Sequence, residues 1–393
     1  MHLPRAPRGL DLDWRLEDWA VYNSSGPRRV VVTRQLPGRR WLEVLLQADC
    51  KVEVCRRDEA LTGHELITAV GSRCDGCIGQ LTEAWGEPLF AALEAAGARV
   101  FSNYAVGYDN VDLESANRHG IAVGNTPGVL TETTAEMAVS LTFAAARRIA
   151  EGDRYMREGR FRGWRPDLLL GELLWRKTVG VVGAGRVGAA YARMMVEGHK
   201  MDLLYYDLAR NEALEEYVAD YGRFLESAGE PPVSCRRAAS LEELLREADV
   251  VSIHACLDDS TRHTIDAARL GQMKPSALLV NTSRGPLIDE EALVAHCRAN
   301  PGFRAGLDVF EDEPSMKPGL GELDNVVIVP HLGSATTWTR ESMALLAAYN
   351  VAGMLLGYPA WPYMDMLPFL EGGPPHATPS IVNAKQLGIP TMA

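Results

Sequence analysis

The strongest constraint on the fold is a glycine pattern near the middle of the chain. The segment Gly183-Ala-Gly-Arg-Val-Gly188 follows a β-type run, Thr178–Val182, and begins a helical pattern. In this setting the first glycine permits a tight turn, and the second lets a pyrophosphate approach the backbone. The third glycine packs the helix against the strand, and the anion binds at the helix N-terminus. The pattern therefore predicts a dinucleotide-binding Rossmann unit.

An acidic residue lies where such a unit needs one. Asp207 closes the next predicted strand, Leu203–Tyr206, at the distance expected for a carboxylate that binds the adenosine ribose hydroxyls. A carboxylate there repels the 2′-phosphate of NADP, so we expect NAD(H) to be preferred over NADP(H). The alternative interpretation is a glycine turn followed by an unrelated acid at a strand end.

Strand and helix patterns alternate in two runs along the chain. A long helical pattern, from a capping box at Thr133–Glu136 to Ala150, separates them, and an irregular arm, Gly159–Gly171, follows it. Alternation of this kind predicts parallel sheets with helical crossovers, so the expected fold class is α/β with two doubly wound domains. The strands expected in the second run are Thr178–Val182, Leu203–Tyr206, Val250–His254, Ala277–Asn281, Arg304–Val309 and Val326–Val329.

Two stretches stand outside this alternation. Asn211–Ala239 is longer than a usual strand–helix connection and is expected to be a surface elaboration. Tyr358–Ala393 is rich in Pro and Gly and has little periodicity, so we expect it to wrap the surface or to be partly mobile.

Composition excludes several classes of protein. The 393 residues carry 40 Lys and Arg against 52 Asp and Glu, a formal charge of −12, which argues against nucleic acid as a partner. No apolar run approaches the ~20 residues that span a bilayer, so we expect no membrane insertion. The seven cysteines are odd in number and scattered, which indicates reduced thiols in an intracellular protein. Cys74 and Cys77 form a lone C-x-x-C; two buried thiols are favoured over a redox or zinc role, and no metal site is expected.

Three complementary side chains, Arg284, Glu313 and His331, follow different predicted strands of the second run. Taken singly, each has an ordinary explanation: a surface cation, a loop acid before proline and a satisfied loop imidazole. Open α/β sheets bind ligands at the carboxyl ends of their strands. The three groups together therefore predict one catalytic site. His254, at another strand end, is the competing imidazole and ranks below His331.

Longer stretches resemble the D-2-hydroxyacid dehydrogenase family and, within it, the plant-type hydroxypyruvate reductases (glycerate dehydrogenases). The resemblance extends from Tyr22 to the C-terminus. The segments that carry it are Phe101–Asp112, Gly124–Thr134, Tyr191–Gly198, Tyr217–Glu230 and Pro379–Asn383.

The resemblance implies a Rossmann nucleotide domain inserted into a flavodoxin-like substrate domain. The implied substrate domain comprises residues 22–124 and 331–365, and the NAD-binding domain with a dimerisation arm comprises residues 125–330. Residues 366–393 would form a C-terminal tail.

The resemblance also implies roles for the three strand-end residues. Arg284 would bind the 2-oxo acid, Glu313 would partner the catalytic histidine, and His331 would be the acid/base, with Ser334 completing the family segment. Glu313, bonded to the far ring nitrogen, would favour the imidazolium form of His331.

Further binding roles are implied in both runs. The backbone N–H groups of Val106 and Gly107 would hold the substrate carboxylate, with Asn103 beside them, and Trp164 would reach the active site of the partner in a homodimer. The implied cofactor-binding residues are Gly183, Gly185, Arg186, Val187, Gly188, Asp207, Thr282, Asp308 and Gly333.

The implied activity is NADH-dependent reduction of hydroxypyruvate to D-glycerate, with glyoxylate as a further substrate, in photorespiratory-type metabolism. One alternative is another D-2-hydroxyacid dehydrogenase, such as a phosphoglycerate or D-lactate dehydrogenase. A formate enzyme is disfavoured because that branch has Gln where this chain has Glu313. A non-enzymatic NADH-sensing scaffold, like the corepressors that share the fold, is the second alternative.

The compartment stays open between the cytosol and a mitochondrial or peroxisomal location. Plant-type relatives end in a Ser-Lys-Leu peroxisomal address, whereas this chain ends Pro390-Thr-Met-Ala393. Residues 1–21 lie outside the resemblance and are interpreted as a transit-peptide remnant or an artificial extension.

Overall fold

The computed structural model describes residues 18–392, so most of the segment interpreted above as a transit-peptide remnant lies outside the described residues. The chain forms two compact units. Within the described residues, one comprises residues 18–130 and 336–392, and the other runs from Thr131 to Ala335. Both breaks lie a few residues after the expected ones, and His331 therefore belongs to the second unit.

The first unit is built on a six-stranded sheet with the order β1-β3-β2-β4-β5-β6. The strand β1 pairs antiparallel with β3, and the other neighbours are parallel. Its strands are β1 (Trp19–Tyr22), β2 (Arg28–Val32), β3 (Cys50–Cys55), β4 (Gly76–Gly79), β5 (Val100–Asn103) and β6 (Ala122–Gly124). Its helices are α1 (Arg40–Gln47), α2 (Gly63–Val70), α3 (Glu87–Ala95), α4 (Leu113–Arg118), α12 (Thr337–Leu356) and α13 (Leu367–Leu370).

The second unit is built on a seven-stranded parallel sheet with the order β13-β12-β11-β10-β7-β8-β9. Its strands are β7 (Thr178–Val182), β8 (Asp202–Tyr206), β9 (Cys235–Arg237), β10 (Val250–Ile253), β11 (Leu278–Asn281), β12 (Arg304–Leu307) and β13 (Val326–Ile328). Its helices are α5 (Thr131–Ala146), α6 (Ile149–Arg157), α7 (Arg186–His199), α8 (Glu212–Ser227), α9 (Leu241–Glu247), α10 (Ala267–Leu270) and α11 (Glu290–Ala299).

Helices cover both faces of the second sheet because its strands are apolar on both faces. Val181 of β7 packs in one buried cluster with Leu141 of α5 and Tyr191 of α7. On the opposite face, Val251 of β10 packs in another cluster with Leu244 of α9. Strands buried on both faces are typical of parallel sheets with crossover helices. The expected α/β class with a Rossmann nucleotide domain is confirmed.

Two local expectations were wrong. Helix α5 begins at Thr131, so Thr133 lies inside the helix rather than capping it. The stretch predicted as a surface elaboration contains the 16-residue helix α8 and the strand β9. Asn211 caps α8 by accepting a hydrogen bond from the Leu214 N–H, and Leu214 and Val218 are buried. These apolar positions recur at helical spacing, and that signal identifies α8.

The segment after α12 packs against the first sheet rather than standing apart from it. Ala360 forms a bridge with Thr378, and Ile381 forms one with Gly124 at the end of β6. Thr378 and Ile381 are buried. No helix within residues 18–392 is long and apolar enough to cross a membrane.

Candidate active site

The glycine turn after β7 has the conformation that its three glycines were expected to permit. Gly183 has a φ of 90°, in the left-handed region, and its N–H donates to the Tyr206 carbonyl oxygen at 2.9 Å. A Cβ on Gly188 would overlap with the Gly183 carbonyl oxygen, so only glycine lets α7 approach the turn. A Cβ on Gly185 would meet open space. The first and third glycines thus serve packing, and the second faces a region open to a ligand.

The N-terminus of α7 is suited to an anion. The helix begins at Arg186, immediately after Gly185, and no side chain caps it. Arg186 is exposed and Val187 is half-buried. Uncapped N–H groups and the helix dipole together favour a phosphate at such a position.

Asp207, just after β8, is tied to the glycine turn. Its Oδ2 accepts a hydrogen bond from the Ala184 N–H at 2.7 Å, and its Oδ1 accepts from the Ala209 N–H at 3.3 Å. Arg237 of β9 donates to the backbone carbonyl oxygens of Asp207 and Leu208. The carboxylate expected to bind ribose hydroxyls therefore lies beside the turn, with a guanidinium close to it.

A buried hydroxyl near the strand ends gives a further test of whether a dinucleotide fits. Among the described residues, the Oγ1 of Thr282, just after β11, is buried and has no hydrogen-bond partner. Buried polar atoms are nearly always paired, so an orphaned hydroxyl beside an expected binding site indicates a missing ligand group. The glycine turn, the uncapped helix and Thr282 together fit a bound dinucleotide.

The three candidate catalytic residues follow three adjacent strands. Arg284, Glu313 and His331 come after β11, β12 and β13, which are neighbours at one edge of the sheet. The Nδ1 of His331 lies 2.9 Å from the Oε2 of Glu313, and both side chains are about a quarter exposed. The other Glu313 oxygen, Oε1, accepts from the Phe310 N–H at 3.0 Å. The carboxylate is therefore fixed at one oxygen and holds the imidazole with the other.

Charge within this group keeps Glu313 ionised. Burial raises the pKa of Glu313, but the hydrogen bond and the charge of His331 outweigh it, and the net pKa is lowered. The Phe310 N–H and the charge of Arg284 also lower the pKa of Glu313. A carboxylate that stays ionised can accept a hydrogen bond from the ring beside it.

The ring of His254, the competing imidazole, has a different electrostatic environment from that of His331. The ring of His254 lies 5.1 Å from that of Tyr191, and its Nε2 is 2.8 Å from the Ser252 hydroxyl. Burial lowers the pKa of His254 to about 3, with no carboxylate to oppose it. His254 is neutral at physiological pH and is a poor general acid.

Asp308 fixes the loop that carries His331. The backbone carbonyl of Asp308 accepts from the His331 N–H at 2.9 Å, and its carboxylate accepts from the N–H groups of Leu332 and Gly333. His331 has a φ of 53°, a left-handed conformation that L residues rarely adopt without support. Asp308 is fully buried and supplies that support. Its side chain thus positions the loop; a direct contact with a cofactor stays a prediction, as does one by Gly333.

A close backbone contact fixes Arg284 relative to Glu313. A Cβ on Gly285 would overlap with the backbone of Phe310, so only glycine allows this approach. The side-chain nitrogen of Asn281 donates to the Arg284 carbonyl oxygen at 2.8 Å and closes the same turn.

Glu290, at the start of α11, anchors both ends of the Glu313 loop. Its carboxylate is buried and accepts from the N–H groups of Glu311 and Lys317, each at 2.7 Å. We did not identify Glu290 as a functional residue from the sequence. From the sequence, an acidic residue in the first turn of a helix indicates only a favourable interaction with the helix dipole. The loop that Glu290 holds is distant in sequence, so the local pattern does not reveal this contact.

In the first unit, the candidate carboxylate-binding loop follows β5. Asn103 is fully buried, and both N–H groups of its side chain are used, one on the Gly107 carbonyl and one on the Asn110 side chain, each at 2.9 Å. The side chain therefore supports the loop from behind. A direct contact of Asn103 with a substrate would require one of these bonds to break.

The arm after α6 is exposed. The Trp164 side chain is 82% exposed, Leu170 of the same arm is 64% exposed, and Leu173, just after the arm, is 70% exposed. Ser334 follows Gly333 and is half-buried in the His331 loop. The structure thus brings Glu313, His331 and the charge of Arg284 together in one unit, and it leaves Trp164 in solvent.

Three comparisons place this arrangement among known proteins. The family model described as D-isomer specific 2-hydroxyacid dehydrogenase, NAD binding domain, matches residues 139–333. The glycerate dehydrogenase of Cucumis sativus is 57% identical over 372 residues, which cover 94% of this chain and 97% of that protein. The peroxisomal glycerate dehydrogenase HPR of Arabidopsis thaliana is 57% identical over 374 residues, with the same coverage of 94% and 97%.

A solved structure agrees with these matches. The crystal structure of a protein from Thermus thermophilus superposes with a TM-score of 0.73 at 40% sequence identity, covering 84% of this chain and 97% of that one. The region matched by the family model contains the glycine turn and the strand ends that carry Arg284, Glu313 and His331.

Proposed function

This chain belongs to the D-isomer specific 2-hydroxyacid dehydrogenase family, and from that premise we propose that it reduces hydroxypyruvate to D-glycerate with NADH, and glyoxylate to glycolate. The observation that carries the proposal is the 2.9 Å pair of His331 and Glu313 beside the charge of Arg284. Family membership makes the chain an oxidoreductase that uses a nicotinamide cofactor. The choice of substrate rests on the two plant relatives that are named glycerate dehydrogenases.

A nicotinamide cofactor held at the glycine turn would supply the hydride that the reduction of C2 of the 2-oxo acid requires. Arg284 binds the substrate through charge-assisted hydrogen bonds, for which a planar guanidinium suits a carboxylate better than an ammonium does. His331 donates a proton to the oxygen that becomes the hydroxyl. Because its Nδ1 faces Glu313, the proton leaves from Nε2. Glu313 holds the ring in place and stabilises its charged form before the transfer.

The N–H groups of Val106 and Gly107 are the proposed donors to the substrate carboxylate. Within the described residues neither N–H has a hydrogen-bond acceptor, whereas the Gly107 carbonyl is held by Asn103. Successive backbone N–H groups of a turn can bind an anion, and two adjacent N–H groups without an internal acceptor are suited to that role.

A direct assay tests the activity. The purified chain is mixed with NADH and hydroxypyruvate, the loss of absorbance at the NADH band is followed, and the product is resolved on a chiral column. We expect turnover and D-glycerate as the product. A protein that binds NADH but oxidises none of it with hydroxypyruvate, glyoxylate, pyruvate or phosphohydroxypyruvate would instead favour the sensing scaffold. Turnover with one of the other acids alone would assign a different dehydrogenase of the family.

We also propose that NADH is preferred over NADPH. The Asp207 carboxylate repels a 2′-phosphate. The guanidinium of Arg237 lies close to Asp207, because it donates hydrogen bonds to the Asp207 and Leu208 carbonyl oxygens. Asp207→Ala should lower the ratio of kcat/KM for NADH over that for NADPH by at least about tenfold, because a repulsion is removed while the guanidinium stays. Adding Arg237→Ala to the Asp207→Ala variant should lower its kcat/KM for NADPH, because the guanidinium is then removed as well. An unchanged ratio in Asp207→Ala would remove Asp207 from cofactor selection.

The exposed apolar arm supports a proposed homodimer. Phe161, Trp164, Leu170 and Leu173 are all exposed, and large exposed apolar patches mark interaction sites. Light scattering on the full chain should give twice the mass of 43.0 kDa. The substitution Trp164→Asp should shift the equilibrium toward the monomer.

A further inference from the structure

The C-terminal segment after α12 reaches the proposed carboxylate-binding loop through two side chains. The hydroxyl of Ser380 donates to the Oδ1 of Asn125 at 2.6 Å, and the side-chain nitrogen of Asn125 donates to the Val106 carbonyl oxygen at 2.8 Å. The orientation of the amide is fixed chemically, since a carbonyl oxygen only accepts and must face the nitrogen. Ser380, Asn125 and Val106 thus form one directed chain of hydrogen bonds.

A second connection holds the same segment in place. The Ser380 N–H donates to the Oδ1 of Asn350 at 2.9 Å, and the nitrogen of Asn350 donates to the Asn125 carbonyl at 2.9 Å. Asn350 lies on α12 and is fully buried. A Cβ on Gly124 would lie 2.7 Å from the Asn350 nitrogen, so a glycine is needed for this approach. The side chain of Ser380 is therefore bonded to Asn125 directly, and its backbone is bonded to Asn350, which in turn bonds Asn125.

These bonds complete the support of the loop. The three consecutive carbonyls of residues 105–107 are each held: Ala105 by the Thr126 N–H at 2.9 Å, Val106 by Asn125 and Gly107 by Asn103. Fixing a carbonyl also fixes the peptide plane, and with it the direction of the next N–H. The plane that contains the Val106 carbonyl also contains the Gly107 N–H. Asn125 therefore sets the direction of one of the two proposed substrate donors.

We propose that Ser380 and Asn125 are positioning residues for substrate binding, and that the C-terminal segment is in this way a functional part of the carboxylate site. The inference rests on the proposed function of the Val106–Gly107 loop. Ser380 fixes the Asn125 amide in the rotamer that holds Val106, and the loop is then pre-organised before the substrate arrives. Pre-organisation lowers the cost of ordering the site on binding.

The test separates substrate binding from the chemical step and from cofactor binding. Ser380→Ala removes the donor to Asn125, and Ser380→Thr keeps it. Thr378→Val is the matched control, since Thr378 is a fully buried hydroxyl of the same segment that bonds only the Tyr358 carbonyl, at 3.4 Å, with its side chain. Each full-length variant is assayed for KM and kcat with hydroxypyruvate, for KM with NADH, and for inhibition by the 2-oxo acid analogue oxamate.

Loss of one neutral hydrogen bond corresponds to a roughly three- to tenfold effect. We expect Ser380→Ala to raise the KM for hydroxypyruvate and the oxamate inhibition constant by about that factor, with the KM for NADH unchanged. Ser380→Thr should restore both values, and Thr378→Val should leave both as in the wild type. In a double-mutant cycle, Ser380→Ala should add little to Asn125→Ala, because the two residues act in series.

The outcomes distinguish two failures. A wild-type chain that does not reduce hydroxypyruvate contradicts the proposed function. An active wild type whose KM and oxamate inhibition are unaltered by Ser380→Ala contradicts the role of the C-terminal segment. Equal effects of Ser380→Ala and Thr378→Val would show that the segment contributes stability only, and would also overturn the proposal.

Discussion

The loops assigned to the proposed reaction are held by different kinds of group in the two units. In the second unit, the loop of His331 is held by the carboxylate of Asp308, and the loop of Glu313 by that of Glu290. In the first unit, the loop of residues 105–107 is held by the neutral amides of Asn103 and Asn125. The residues with a proposed role in the second unit act through charged side chains, whereas those in the first unit act through backbone N–H groups.

This difference predicts where pH acts on the enzyme. The second unit contains Glu313, whose pKa is raised by burial but lowered overall by its hydrogen bond to His331, so the charge there changes when Glu313 is protonated. The amides that support residues 105–107 carry no titratable proton. Substitutions in the second unit should therefore alter the pH dependence, whereas those in the first should alter substrate affinity equally at every pH.

The largest effect is expected for His331→Ala. Loss of a general acid costs on the order of 10²–10⁴ in rate, so kcat for hydroxypyruvate reduction should fall by that factor. His263→Ala is the matched control, because His263 also pairs with a carboxylate, Glu311, at 2.8 Å but is not assigned to the reaction. If both variants lose the same activity, the imidazole of residue 331 is not the acid.

Arg284→Ala should have the next largest effect. Charge-assisted hydrogen bonds contribute more than neutral ones, so kcat/KM should fall about 10²-fold, mainly through KM. Arg284→Lys should recover only part of it, because an ammonium does not form the bidentate contact. Initial rates over a range of hydroxypyruvate concentrations measure both values. Full recovery in the Lys variant would show that charge alone matters.

Glu313→Gln should change the pH profile of both reaction directions. The lowered pKa of Glu313 keeps its carboxylate ionised, and activity should fall as the pH drops through that pKa. An amide at this position does not titrate, so the acidic limb of kcat/KM that follows the ionisation of Glu313 should be lost in the variant. Profiles measured from about pH 3 to pH 9 test this, and an acidic limb that stays in place would exclude Glu313 from the mechanism.

The smallest effect is expected for Asn103→Ala in the first unit. Loss of the bond to the Gly107 carbonyl should raise the KM for hydroxypyruvate by up to about tenfold while leaving both pH limbs in place. The same pH series that is run for Glu313→Gln gives the comparison. A shifted limb in Asn103→Ala would contradict the expectation that the neutral amides of the first unit do not affect the pH dependence.

The sequence was informative wherever chemistry belongs to a residue type in a local pattern. Gly183 and Gly188 are required by a turn and a helix approach that lie within a few residues of them, so their roles followed from spacing. The resemblance to the D-2-hydroxyacid dehydrogenases, on which the roles of Arg284, Glu313 and His331 depended, is confirmed as family membership.

Residues that act over long sequence distances were not identified. Glu290 supports a loop more than twenty residues away, and Ser380 bonds Asn125 across most of the chain. Asp308 was expected to bind a cofactor, and its observed contacts are to the N–H groups of the His331 loop. A carboxylate, a hydroxyl and an amide are common surface groups, so nothing in the local sequence distinguishes these from the rest.

The sequence by itself determined the α/β class, the glycine turn after β7 and the charged residues at the strand ends, because strand and helix periodicity and glycine geometry are local properties. It did not predict β9 or the antiparallel pairing of β1. Only the tertiary structure decided which groups hold those residues in position. Hydrogen bonds depend on distances of about 3 Å and on direction. Such distances arise between segments like residues 105–107 and 380 only after the chain has folded.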